Sequence, residues 1–277
     1  MTTTSWAGLP GDHHVHSTFS DDAESTVIEN ITAARAAGLT QLRLVDHVRE
    51  STTWVPEFLA AVAGSVGEPA VEAAGERGAA DQPCREQRLR VLTGVEAKIL
   101  DATGRLDLPP DLRTAPGRAD RVDRVLIADH QYPSPQGPWS PSRVLAERAS
   151  GLTAATLLDT LIEATIRSMH RVEHAQLAHP FSLLPKVGLT EDDLHDDHLA
   201  ALADAALVTG AWVEVNEKWA CPSARVLSAL QIAGVTLVAS TDSHHCRDVG
   251  RYRHVADLTS GLTDQRAEPV PWGRLMP

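Results

Sequence analysis

Apolar residues along this chain come in short runs, and the runs close on imidazoles and carboxylates. QLRLVDH over 41–47, VLTGVEA over 91–97, RVLIADH over 124–130, AQLAHP over 175–180 and TLVASTDSH over 236–244 share the pattern. Short apolar runs bounded by turn signals predict buried strands, here 41–46, 90–97, 122–128, 174–178, 211–215 and 235–239. A seventh strand precedes His16. Helical periodicity fills most gaps, at about 24–37, 55–63, 152–170, 192–207 and 222–233, with Gly38 stopping the first helix. Strands alternating with helices predict an α/β fold with a parallel sheet, closed into a TIM-like barrel. Every strand of such a barrel ends on one face, so the strand-end side chains converge there.

Two segments break the rhythm. Residues 64–88, rich in Gly, Ala and charge, are expected to be a loose surface excursion. Residues 133–141 (PSPQGPWSP) hold four prolines and Trp139. They leave the ligand face just after His130, and are either a rigid loop lining a substrate pocket or a plain surface connection. No internal repeat or linker divides the chain, so residues 1–277 are expected to form a single barrel domain.

Composition narrows the partners. The chain of 277 residues carries a formal charge of −12, which disfavours a nucleic-acid surface. Cys84, Cys221 and Cys246 are too few and scattered for a disulfide framework or a thiolate zinc site. The N-terminus MTTTSWAGLPG lacks the basic and apolar regions of a signal peptide, and no apolar stretch approaches membrane-spanning length. A cytoplasmic location without a membrane partner is the expectation.

The converging side chains are the ligands of catalytic divalent metals. His14 and His16 stand at i and i+2 of a strand, so both rings reach one side. Asp21, with Asp22 as its rival, follows in a loop where helix capping is the competing role. Asp46-His47, Glu96, His130, His179 before Pro180, and the pair Asp242-x-His244 close later strands. A carboxylate offers one oxygen to each of two ions, so Glu96 is the natural bridge. His13 and His245 alternate away from the ligands, and His195-x-x-His198 lies at helical spacing outside the set. The coincidence of nine such residues with strand ends points to a multi-metal hydrolase.

These residues resemble the PHP (polymerase and histidinol phosphatase) family. The resemblance is carried by Asp12-x-His14-x-His16-Ser17-x-x-Ser20-Asp21, Val45-Asp46-His47, Gly94-Val95-Glu96, His130, Ala178-His179-Pro180, Glu214-x-Asn216 and Ser240-Thr241-Asp242-Ser243-His244, over residues 11 to about 250. The stretch from Gly94 to Asp107 is similar to the branch of stand-alone phosphatases and of the PHP domains of family X DNA polymerases. No polymerase module fits in the chain, so a stand-alone member is implied.

The resemblance implies a distorted (β/α)7 barrel with up to three ions (Zn, Mn or Fe) at the C-terminal ends of the strands. His14, His16, Glu96 and Asp242 would hold one ion. Glu96, His130 and His179 would hold the second, and Asp21, His47 and His244 the third. Two departures stand out: some phosphatases carry a histidine near the Asp21–Asp22 position, and Ala128-Asp129 replaces the Ser-Val that relatives often carry.

The expected reaction is hydrolysis of a small phosphomonoester such as histidinol phosphate or a nucleotide. Water would be activated by bridging two ions, with Glu96 and Asp242 at the centre of catalysis. Lys98, Lys218 and Arg247 are the candidate phosphate-binding cations. Glu214 and Asn216 either orient the ligands or cap their strand. The alternatives are a 3′–5′ exonuclease or phosphodiesterase, an amide or lactone hydrolase on the same metals, and a PHP module that only binds a partner.

Overall fold

The computed structural model describes residues 11–66 and 88–264. Seven parallel strands run β1 (Gly11–Val15), β2 (Gln41–His47), β3 (Arg90–Lys98), β4 (Arg124–Ala128), and then, after the hairpin β5 (Tyr132–Ser134) and β6 (Gly137–Trp139), β7 (Ala175–Ala178), β8 (Trp212–Asn216) and β9 (Thr236–Ser240). The sheet order is β1-β2-β3-β4-β7-β8-β9. The two outer strands meet through a parallel bridge between Val15 and Ser243, with the His16 amide donating to the Ser243 carbonyl at 2.8 Å. The sheet is thus a nearly closed barrel, as its sequence pattern predicts.

The barrel strands are buried on both faces along most of their length, which is why they read as apolar runs rather than as alternation. Leu42, Leu44, Val95, Ile127, Leu177, Val213 and Leu237 belong to the large core outside the barrel. There they meet helices α1 (Val27–Ala36), α2 (Val55–Val66), α3 (Pro141–Ala149), α4 (Ala154–Met169), α5 (Asp196–Thr209) and α6 (Ala224–Ala233); α7 (His254–Asp264) ends the described chain. Val45, Leu126, Ala128 and Ala178 form a separate small cluster inside the barrel. Space there is tight: a Cβ on Gly94 would lie 3.0 Å from Leu126 and 3.2 Å from Val45. The glycine two residues before Glu96 is therefore a packing requirement.

Local signals set the element ends. Thr26 caps α1 in a reciprocal box with Glu29, so the helix starts at Val27, three residues later than the sequence pattern suggests. Residues 191–193 form a separate 3-10 turn, so α5 begins only at Asp196. The His198 ring accepts from the His195 amide and faces Asp159 at 2.9 Å, so this pair caps a helix.

Residues 133–141 are not an irregular loop. Two short strands pair antiparallel, and Ser140 then caps α3 with Pro141 in its first turn. Of the expected surface excursion at 64–88, residues 67–87 lie outside the described residues. No helix among the described residues is long and apolar enough to cross a membrane.

Candidate metal centre

Strand geometry brings the predicted residues together at the C-terminal end of the barrel. The pairing of β1 with β2 shifts register between Asp12 and Val15, and His14 at the end of β1 and His16 just beyond it reach the same centre. The Nε2 atoms of His14 and His16 lie 3.0 Å apart. Glu96, from β3, sits between two groups. Its Oε1 is 3.1 Å from His130 Nε2 and 3.0 Å from His179 Nε2. Its Oε2 is 3.4 Å from His14 Nε2, 3.5 Å from His16 Nε2 and 2.8 Å from His47 Nδ1. Asp242 Oδ1 reaches His16 Nε2 at 3.2 Å and His14 Nε2 at 3.7 Å. Three overlapping groups have the spacing of a metal site: His14, His16 and Glu96; Glu96, His130 and His179; and His16, His47 and His244.

At the third group, position matters by one residue. The resemblance implies Asp21 beside His47 and His244, with Asp22 as its rival. In the structure it is Asp22 whose Oδ2 lies 3.4 Å from His47 Nε2 and 3.4 Å from His244 Nε2. Asp21 is 80% exposed and turns to Arg49 at 3.7 Å. The loop is set by Asp46, which accepts from the amides and hydroxyls of Ser17 and Ser20. That anchoring decides which of two adjacent acids points inward, and no residue pattern reveals it. If Asp22 holds an ion, Asp22→Ala is expected to lower metal stoichiometry by one per chain in elemental analysis. Asp21→Ala is then expected to leave it unchanged, and the reverse result would restore Asp21.

The outer partners hold the rings in place. His14 Nδ1 lies 3.0 Å and 3.2 Å from the two oxygens of Glu214. Asn216 Nδ2 donates to Glu214 at 3.1 Å, so the pair orients ligands rather than capping a strand. His16 Nδ1 faces Ser20 Oγ at 3.2 Å. His179 Nδ1 faces Ser182 Oγ at 3.1 Å, and that hydroxyl donates to Asp129 at 3.0 Å. Asp129, unassigned from sequence, thus braces His179. His179 and Asp242 both adopt positive φ, 28° and 53°. Non-glycine residues carry strain there, and such strain gathers at functional sites.

The buried imidazoles and carboxylates of the centre hold one another's charge. Burial pulls His16 down to about 3, so its ring is neutral and its lone pair free. Burial also opposes charge on Glu96, but His130 and His14 hold its carboxyl well below the usual range. Asp242 is likewise held well below its range, against burial, by the hydrogen bond to His16 and the charge of His14. Burial opposes protonation of His14, yet Glu214 and Glu96 outweigh it and raise its pKa. A metal fits these residues on one direct observation. Glu96 Oε2 is buried without a hydrogen-bond partner among the described residues, at the point where three imidazole nitrogens converge.

A cavity of about 450 Å³ opens over this cluster, lined among others by Lys98, Lys186, Lys218, Arg49 and Trp219. That is an ordinary volume for a small-ligand pocket. Lys218 Nζ lies 3.2 Å from Asp242 Oδ2 and 3.2 Å from His244 Nδ1. Lys98 Nζ lies 3.6 Å from Asp107.

Arg247, the third cation expected there, is 69% exposed, pairs with Asp248 at 3.6 Å and does not line the cavity. A 3-10 turn over 246–248 carries it outward. Lys186 takes its place, with Nζ 3.9 Å over the Trp219 ring, whose Nε1 donates to Asp242 Oδ2 at 2.6 Å. Only the position of Lys186 after His179-Pro180 could have signalled it. No residue of the Pro-rich segment lines the cavity; Tyr132 is buried and Trp139 packs against the core.

No family model matches the chain. A probable phosphatase of Caldanaerobacter subterraneus subsp. tengcongensis is 23% identical over 259 residues, covering 91% of this chain and 82% of the relative. The crystal structure of histidinol phosphate phosphatase from Lactococcus lactis subsp. lactis, complexed with zinc, L-histidinol and phosphate, superposes with a TM-score of 0.59 at 15% identity. It covers 94% of this chain and 95% of that one. The likeness to the solved structure, over nearly the whole of both chains, shows a TIM-like α/β barrel.

Proposed function

We propose that this chain is a metal-dependent phosphomonoesterase acting on a small phosphorylated substrate, histidinol phosphate being one example. The observation that carries it is the buried Glu96 carboxylate, each oxygen facing its own set of histidines, beneath a cavity rimmed by lysines. The names of the two relatives, a probable phosphatase and a histidinol phosphate phosphatase with zinc, support the same reading.

His14, His16, Glu96 and Asp242 would hold one divalent ion, Glu96, His130 and His179 a second, and Asp22, His47 and His244 a third. Zinc is the first candidate, with Mn and Fe as the others. Such ions supply Lewis acidity and lower the pKa of water. Glu214, Ser20 and Asp129 with Ser182 fix the imidazole tautomers. Lys98, Lys186 and Lys218 offset charge developing on the phosphoryl oxygens. Trp219 positions Lys186 and holds Asp242. A cytoplasmic setting rests on the cysteine pattern; Cys221 and Cys246 are both free thiols.

The formal charge of −12 repels a polyanion, whereas a lysine-rimmed pocket accepts one terminal phosphate. A panel of phosphomonoesters, phosphodiesters, oligonucleotides, amides and lactones tests this. The best monoester is expected to exceed every oligonucleotide in kcat/KM by about 10- to 10³-fold. Faster cleavage of long DNA or RNA would install the exonuclease reading. Turnover of amides or lactones alone, without inhibition by inorganic phosphate, would install the carbonyl hydrolase.

A further inference from the structure

The metal centre occupies one end of the barrel, and the other end holds a polar cluster that the proposed reaction does not use. Side chains two apart on a strand share a face. Two residues back from Val45, Leu126 and Glu214 stand Arg43, Arg124 and Trp212. Trp212 is their hub. The Arg124 guanidinium carbon lies 3.6 Å from its ring centroid and that of Arg43 5.6 Å. The His13 ring meets Trp212 edge-on, with centroids 5.7 Å apart. His13 is 0% exposed, Arg43 1% and Arg124 9%.

Each guanidinium spends one donor on a strand carbonyl. Arg43 Nη1 donates to Thr93 O at 2.8 Å, and Arg124 Nη1 donates to Ala175 O at 3.0 Å. Neither forms an ion pair with a carboxylate of the described residues. Asp123, the acid beside Arg124 in sequence, accepts instead from the Thr93 and Gly117 amides. Arg43 Nε and both ring nitrogens of His13 are buried without a hydrogen-bond partner among the described residues. Buried unpaired donors are costly, and buried unpaired charge more so. Asp123 and Glu214 act on these guanidiniums only at a distance. Among the described residues no carboxylate touches the two guanidiniums and the imidazole gathered round one indole, and the group that would complement them is an anion with several acceptor oxygens.

We infer that this end of the barrel is a second ligand site, one that takes a compact oxyanion through Arg43, Arg124 and His13. The apolar cluster of Val45, Leu126, Ala128 and Ala178 separates it from the metal centre. It is independent of the phosphatase reading. Phosphate, sulfate and small carboxylates share the required chemistry.

The test uses the full chain stripped of metal by chelation. Thermal unfolding is followed as phosphate, selenate or acetate replaces chloride at fixed ionic strength. A saturable rise in Tm of about 5 °C is expected with at least one of them. It should persist in Lys218→Ala, at the metal end, and vanish in Arg124→Gln, whose side chain is the most accessible of the three. Should Arg124→Gln fail to fold, crystals of the unaltered chain soaked in selenate replace it, with an anomalous peak expected within hydrogen-bond reach of Arg43 and Arg124. No saturable rise, a rise unchanged in Arg124→Gln, a rise lost in Lys218→Ala instead, or no peak would each overturn the site.

Discussion

Glu96→Gln is expected to lower kcat/KM for the best phosphomonoester by at least about 10²–10³-fold. The change keeps the volume of the side chain and removes its charge. It also turns one of two oxygens into an amide nitrogen that carries protons. Whichever end the amide presents, one group loses its carboxylate: His130 and His179 on the Oε1 side, or His14, His16 and His47 on the Oε2 side. Metal per chain should therefore fall together with rate. His195→Ala is the control, since that residue only caps a helix away from the cavity. Steady-state kinetics and elemental analysis on the same samples check both. Equal activity in the two variants would remove Glu96 from the centre.

Glu214→Ala should have the next largest effect, and it should appear in stability as well as in metal binding. The Glu214 carboxylate is fully buried. It meets His14 Nδ1 and accepts from Gln176 Nε2 at 2.8 Å, the His179 amide at 3.0 Å, Asn216 Nδ2 at 3.1 Å and Ser240 Oγ at 2.9 Å. Truncation removes this partner from all five, and only Gln176 and Asn216 keep a second acceptor, His13 O and Ser240 Oγ. Removing one partner from a buried charged network costs about 3–5 kcal/mol. Loss of the carboxylate behind His14 weakens metal affinity by about 10- to 100-fold. Denaturant unfolding of the metal-free protein isolates the first effect, and calorimetric metal titration the second. A variant as stable as the parent, with unchanged affinity, would reduce Glu214 to strand packing.

The barrel and most of the centre were legible in the sequence for one physical reason. A parallel strand buried on both faces reads as an apolar run, and its end is marked where polarity returns. His47, Glu96, His130, His179 and Asp242 all stand at such ends. What lay hidden depends on backbone direction after the strands. The choice between Asp21 and Asp22 turns on how Asp46 pins the preceding loop, and Lys186 reaches the cavity only because a turn after His179 folds back. Arg247 stays out of the cavity for the mirror reason, since a turn carries it away. In the Pro-rich stretch composition suggests only a loop, while Ser140-Pro141 carries the helix-start signal that α3 obeys. Asp129 could not be placed without the Ser182 hydroxyl that links it to His179.

The central claim is that the strand-end cluster holds divalent ions on which phosphoester hydrolysis depends. It is tested most directly by counting metal and measuring monoester hydrolysis on the same samples, before chelation, after it, and after titration back with Zn or Mn. Activity should vanish with the metal and return in proportion to bound ions, reaching two to three per chain. Less than one ion per chain after loading, or activity that survives chelation, would contradict it.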